Sequence, residues 1–186
     1  GDALHAEWRA LWKGAGSDDS VLVVPTAEVE DRDRVHHLII LDSFERFDQL
    51  AADLAPHGKN LEKTGRPHVR IPGSEIAELV HDLSGLIGPA HAFTPWTSLY
   101  AAFDHLSGCY GKERPDFLEL GLSADSRYGA GISDLAALPF LSNSDAHSPD
   151  PAKLGREFTG IRVNEKTIRG VMESIRKGTI TMNAGF

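Results

Sequence analysis

Apolar residues along this chain fall into short runs separated by polar, turn-rich segments. Strand-like runs occur at VLVV (21–24), VHHLIIL (35–41), LIGPAH (86–91), DFLEL (116–120), LPFLSN (138–143) and GIRV (160–163). Runs this short and this apolar predict strands covered on both faces. Between them the period lengthens. Phe44, Phe47, Leu50, Ala51 and Leu54 form one helical stripe, and Ile76, Leu79, Val80 and Leu83 a second with Ser74 as its N-cap. WTSLYAAFDHL (96–106) predicts a third helix. Ile168, Val171, Met172 and Ile175 predict a fourth, capped by Asn164 and stopped at Gly178. Alternating strands and helices predict an α/β fold with a parallel sheet, in layers or as a barrel. No closing element is evident after residue 178, and the segment 55–68 reads as a polar connection.

Composition narrows the function classes. The 186 residues suffice for one domain with a hydrophobic core. No apolar stretch reaches the roughly 18 residues of a membrane span, so no membrane partner is expected. Cys109 is the single cysteine, which rules out an internal disulfide and a multi-thiolate zinc site and points to a reducing, cytoplasmic setting. The formal net charge of −8 argues against a broad basic surface for nucleic acid. It leaves room for nucleic acid held through metal ions and a few local cations.

The nine histidines matter through their placement. In parallel α/β folds, functional groups gather where loops leave the strands. Glu28 follows one run, His36 and His37 lie in the next, His91 ends another, and Asp145 and His147 follow PFLSN; Asp2 and His5 precede a predicted helix near the start. In an extended segment, residues i and i+2 share a face about 7 Å apart. Asp145 and His147 could therefore serve one cation or two adjacent ones. Imidazoles and carboxylates without thiolates suit Zn2+, Mn2+ or Fe, with Mg2+ less at ease beside several histidines. Each member also has a plain reading: an Asx-turn for Asp145, a core histidine for His91. His36 and His37 face opposite ways in one strand, so only one of them is expected to be a ligand. His57, His68, His81 and His105 read as surface residues.

Three segments, GPAHAFTPWTSLYAAFDHLSGCYG (88–111), LELGLSADS (118–126) and NSDAHSPDPAKLGREF (143–158), closely resemble the endonuclease Q family, DNA repair nucleases built on the polymerase and histidinol phosphatase (PHP) domain. The likeness runs from GDALHAEW through TAEVEDRDRVHHLI to the final MNAGF. It implies that residues 1–186 form a PHP domain, a distorted TIM-like (βα)7 barrel with on the order of two or three divalent cations (Zn2+, Mn2+ or Mg2+) at its strand ends. It also implies a set of metal ligands: Asp2, His5, Glu28, His36 in preference to His37, His91, Asp145 and His147. PHP domains open with a His-x-His strand, and the family continues into a cysteine-rich zinc region; neither is seen here, so a fragment lacking both is expected. SRYGAGISDLAAL (126–138) departs from the family pattern.

The function implied is metal-dependent hydrolysis of DNA on the 5′ side of deaminated bases (hypoxanthine, uracil) or abasic sites, with Asp145 and His147 in the catalytic role. Trp96, Tyr100 and Arg156 are candidates for substrate binding. Trp96 and Tyr100 are four apart and would share a helix face, where packing onto the sheet is the weightier reading. Two alternatives stand beside the nuclease: a PHP phosphatase acting on a small phosphomonoester, and a non-catalytic nucleic-acid-binding module linked to a helicase.

Overall fold

A computed structural model describes residues 21–59, 61, 65–148 and 150–185. Asp2 and His5 lie outside the described residues. The fold is α/β. Strands β1 (Thr26–Glu30), β2 (His36–Ile40) and β3 (Leu86–Pro89) form one sheet in that order. Strands β4 (Leu118–Glu119) and β5 (Phe140–Leu141) form a second, and β6 (Phe158–Ile161) and β7 (Ile180–Ala184) a third.

The sheets depart from the expected all-parallel arrangement. Both pairings of the first sheet are antiparallel, as is β6 with β7, and only β4 and β5 run parallel. The cause is local. Asp31 follows β1 and its Oδ1 accepts the N–H groups of Asp33 and Val35 at 2.8 and 2.9 Å, folding the chain straight back into β2. A connection that short can join only antiparallel neighbours. Among the described residues the strands do not close into a barrel.

Residues 21–24, expected as a strand, have no regular structure, and Val21 and Val23 are exposed. The chain instead closes on β7, which its polar alternation ITMNA concealed.

Five of the six α-helices among the described residues match or approach the four predicted stripes. Helix α1 (Phe44–Leu54) is capped by the Ser43 hydroxyl, and α2 (Gly73–Asp82) starts one residue before Ser74, with Pro72 at the N-cap position. The segment predicted as one helix over 96–106 splits into α3 (Leu99–Ala102) and α4 (Leu106–Tyr110), because Phe103 between them is extended. Helix α5 (Ser126–Ala130) is a single short turn capped by Asp125. Helix α6 (Ile168–Arg176) is capped by Thr167, not Asn164, and Gly178 beyond it takes φ 66° as the stop signal requires.

Strand pleat sorts the side chains. Odd positions of β1 to β3, among them Val29, Ile39 and Ile87, join Val35, Leu41, Leu50, Ile76, Val80 and Tyr110 in a core beneath α1, α2 and α4. Even positions Ile40 and Leu86 pack with Phe117, Leu141, Met172 and Ile175 under α6. Glu28, Glu30 and His36 have the same parity as Ile40, on antiparallel strands in register. They are the polar continuation of the α6 face of the sheet, where it runs past its hydrophobic cover.

Candidate metal centre

The register of β1 and β2 places Glu30 directly opposite His36 and Glu28 diagonal to it. His36 uses both ring nitrogens. Its Nε2 lies 3.2 Å from Glu30 Oε2, and its Nδ1 lies 3.2 Å from Glu28 Oε1 and 3.1 Å from His91 Nε2. His91 follows β3 in a turn and stands 3.9 Å from Glu28 Oε2. Glu28, His36 and His91 thus offer one carboxylate oxygen and two imidazole nitrogens, all within 4.8 Å of one another.

Electrostatics follow from burial and crowding. Burial pushes the Glu28 carboxyl up, but the His36 hydrogen bond and charge, the His91 charge and the Arg66 contact outweigh it and hold the group below its ordinary range. Burial, helped by the charge of His36, lowers His91 despite Glu28 and Asp145. The low value favours a neutral imidazole with a free lone pair, the form that binds metals. His91 Nδ1 is buried and has no hydrogen-bond partner. Two facing imidazole nitrogens, an orphaned third and an ionised carboxylate fit a divalent cation such as Zn2+, Mn2+ or Fe2+.

Asp145 stands close enough for its charge to act on His91 and on Glu119. The stretch is not extended as expected: Asp145 takes φ 46°, which bends the chain there. Its carboxylate lies 3.7 Å from His147 Nδ1, which donates to the Asp145 carbonyl at 2.8 Å. The His147 side chain is 80 % exposed and sits apart from the three-residue group.

The substrate-binding candidates scatter. Trp96 precedes α3 with φ 77° and is 86 % exposed, so it shares no helix face with Tyr100. Tyr100 stacks on Phe93 with centroids 5.2 Å apart, and burial pushes its hydroxyl up to about 12. Arg156 pairs with its neighbour Glu157 at 2.5 Å.

Several residues of the site were not anticipated. Glu30 shares Glu28's face by the period of two, a signal present in the sequence. Arg66 reaches Glu28 at 3.4 Å and Glu30 at 3.7 Å, and His68, expected at the surface, reaches Glu30 at 3.1 Å. His37 joins a separate buried chain: its Nε2 meets Asp31 Oδ2 at 3.1 Å and its Nδ1 the Tyr110 hydroxyl at 2.8 Å. Cys109 Sγ lies 3.9 Å from the same Asp31 oxygen, and burial pushes its thiol far up. Asp31, His37 and Cys109 thus form a second buried group within 4.8 Å, whose atoms are engaged with one another and with Tyr110.

The α/β scaffold brings one acid and two imidazole groups together in an arrangement suited to a divalent cation, and comparison with solved structures is more specific. The chain superposes with a TM-score of 0.83 and 46% identity on the crystal structure of the lesion-specific endonuclease PfuEndoQ from Pyrococcus furiosus, over 87% of its own length and 41% of that chain. It matches equally well (TM-score 0.83, 45% identity, 87% of this chain, 42% of that one) a crystal structure of an endonuclease Q in complex with a 27-mer duplex substrate with an abasic lesion at the active site. The resemblance to the endonuclease Q family read from the sequence therefore holds in fold and in nearly half of the aligned residues.

Among curated proteins it is 49% identical over 101 residues to the uncharacterised protein MJ0043 of Methanocaldococcus jannaschii, covering 52% of this chain and 13% of that protein. It is 34% identical over 131 residues to the uncharacterised protein YqxK of Bacillus subtilis, covering 69% of this chain and 33% of that protein. The chain thus spans a third or less of these relatives. No family model matches it. No helix among the described residues is long and apolar enough to cross a membrane.

Proposed function

We propose that this chain is part of a metal-dependent, lesion-specific DNA endonuclease that hydrolyses the phosphodiester on the 5′ side of an abasic site or a deaminated base such as uracil or hypoxanthine. In this reading residues 1–186 form a PHP-type unit related to the (βα)7 barrel. The observation that carries the proposal is the convergence of Glu28, His36 and His91, far apart in sequence, within 4.8 Å and with Asp145 in electrostatic reach.

Glu28, His36 and His91 would hold one cation, and Asp145, with His147 beside it, would complete the site toward a second or third. Zn2+ or Mn2+ suits the imidazoles; Mg2+ is the weaker candidate. A bound divalent cation lowers the pKa of water and neutralises charge developing on phosphate oxygens. The chain's own residues do the remaining work. Glu30 accepts from His36 Nε2, fixing the ring so that Nδ1 faces Glu28 and His91. Arg66, half-exposed beside Glu28 and Glu30, offers a fork-shaped cation to a phosphodiester. Trp96, exposed on a left-handed turn five residues from His91, presents an apolar face suited to stacking on or replacing a base taken out of the helix.

The test is cleavage of duplexes carrying one abasic site or one uracil, by metal-loaded protein and by Asp145→Asn, with p-nitrophenyl phosphate in parallel. Lesion-dependent nicking lost in the variant supports the proposal. Hydrolysis of the small ester alone would overturn it in favour of a phosphatase.

A further inference from the structure

Glu119 joins the two loops that carry the candidate centre. It sits in β4 and is 6 % exposed. Its Oε2 accepts the His91 backbone N–H at 2.9 Å, and its Oε1 accepts from Asn143 Nδ2 at 2.6 Å. Its carbonyl accepts the Ala92 N–H at 2.8 Å. One side chain therefore ties the turn after β3 to the loop after β5, two residues before Asp145.

Both loops need such a tie. His91 and Asp145 hold φ values of 33° and 46°. Left-handed backbone at non-glycine residues is strained and persists only where its surroundings over-determine it. Behind Asn143 the loop is anchored a second time: the Ser142 N–H donates to Thr159 Oγ1 at 2.7 Å, and its hydroxyl to Asn183 Oδ1 at 3.2 Å. The third sheet, Asn143, Glu119 and the His91 turn thus form one continuous polar bridge under the site. Both Glu119 oxygens are engaged by N–H donors, which argues for holding a loop over holding an ion.

We propose that Glu119 is a positioning residue, whose two hydrogen bonds set where Asp145 stands relative to Glu28, His36 and His91 and so set the metal affinity of the site. The inference rests on the metal-centre reading above, and the experiment separates the two. Co2+ is titrated into the protein and into Glu119→Gln, Glu119→Ala, Asn143→Ala and His36→Ala, following visible absorption and melting temperature.

Glu119→Gln should keep affinity within about threefold and keep the wild-type spectrum, because Gln accepts from His91 and a rotated Asn143 amide accepts from Gln. Glu119→Ala should weaken Co2+ by about 10–100-fold and alter the spectrum, as loss of a group that orients ligands does. Asn143→Ala should shift both partway. Wild-type binding by Glu119→Ala and Asn143→Ala overturns the inference while leaving the centre standing, and so does a loss in Glu119→Gln as large as in Glu119→Ala. If Glu119→Ala does not fold, the Gln and Asn143 variants decide by the same criteria. Wild-type Co2+ binding by His36→Ala would instead overturn the centre itself.

Discussion

His36 and His37 are adjacent on β2, yet their rings serve networks on opposite faces of the sheet. His36 faces Glu28, Glu30 and His91, while His37 closes a fully buried relay from Asp31 to Tyr110. The two should fail differently. His37→Ala leaves the buried Asp31 carboxylate and the Tyr110 hydroxyl each short of a partner and should cost about 3 kcal/mol. In a chain this long that lowers Tm by roughly 6–12 °C. His36→Ala should move Tm less and weaken Mn2+ or Zn2+ by more than about 100-fold, since it removes a ligand. Calorimetric melting and metal titration of the two variants check the contrast.

Asp145→Asn tests the chemistry with little change of shape. The loop is held through Ser142 and Asn143, not through the Asp145 carboxylate. The variant should fold normally and lose cleavage of an abasic or uracil duplex by about 100-fold or more. Turnover near wild type with metal bound would remove Asp145 from the reaction.

Gly121 closes the turn after β4 with φ 71°, where an added Cβ would lie 2.7 Å from His91 Cβ and 2.9 Å from its Cα. Gly121→Ala meets both a disfavoured backbone conformation and a clash with a turn that cannot retreat. It should cost about 2 kcal/mol and weaken metal binding by displacing His91. Melting and Mn2+ titration report the two effects separately.

Stability should fall with rising pH through His81. Its Nε2 meets Asp116 at 3.2 Å and its Nδ1 meets Glu113 at 2.7 Å, tying α2 to the segment before β4. The Asp116 hydrogen bond, partly opposed by burial and helped by Glu113, raises its pKa above 6.5. The folded form therefore holds this proton more tightly than the unfolded chain. Its contribution is complete below the unfolded value and lost as pH climbs through the folded one. His81→Ala should cost on the order of 1 kcal/mol at pH 6 and markedly less at pH 9, read from denaturant midpoints.

Much of the site was legible because strand period and strand ends are local signals. Glu28, His36 and His91 each flank or occupy an apolar run; strand alternation admits only one of His36 and His37 as a ligand, and the family resemblance favours His36. What escaped was long-range. The Asx-turn at Asp31 folds β1 back onto β2, yet nothing local in EVEDRDR (28–34) sets its aspartate apart from the acids around it. Glu119 sits inside the apolar run DFLEL, where a buried charge has no visible partner until Asn143 and the His91 turn close around it. The helix over 96–106 had an apolar period but broke at Phe103, whose side chain packs against the main core while its backbone is extended.

Trp96 follows from that break. A tryptophan inside a continuous helix would pack on the sheet; on this turn it is 86 % exposed with φ 77°. It contributes little buried area and alanine keeps the same backbone strain, so Trp96→Ala should change Tm by less than about 1 °C. Stacking of an aromatic ring on a nucleobase is worth about 1–3 kcal/mol. The same variant should therefore weaken binding to an abasic duplex by roughly 5–150-fold, with the slope of log K against log salt unchanged because no phosphate contact is lost. Fluorescence anisotropy across a salt series measures both quantities. Undiminished affinity would leave the tryptophan without a role at the DNA, and a flattened slope would mean that its loss had disturbed the neighbouring cations instead.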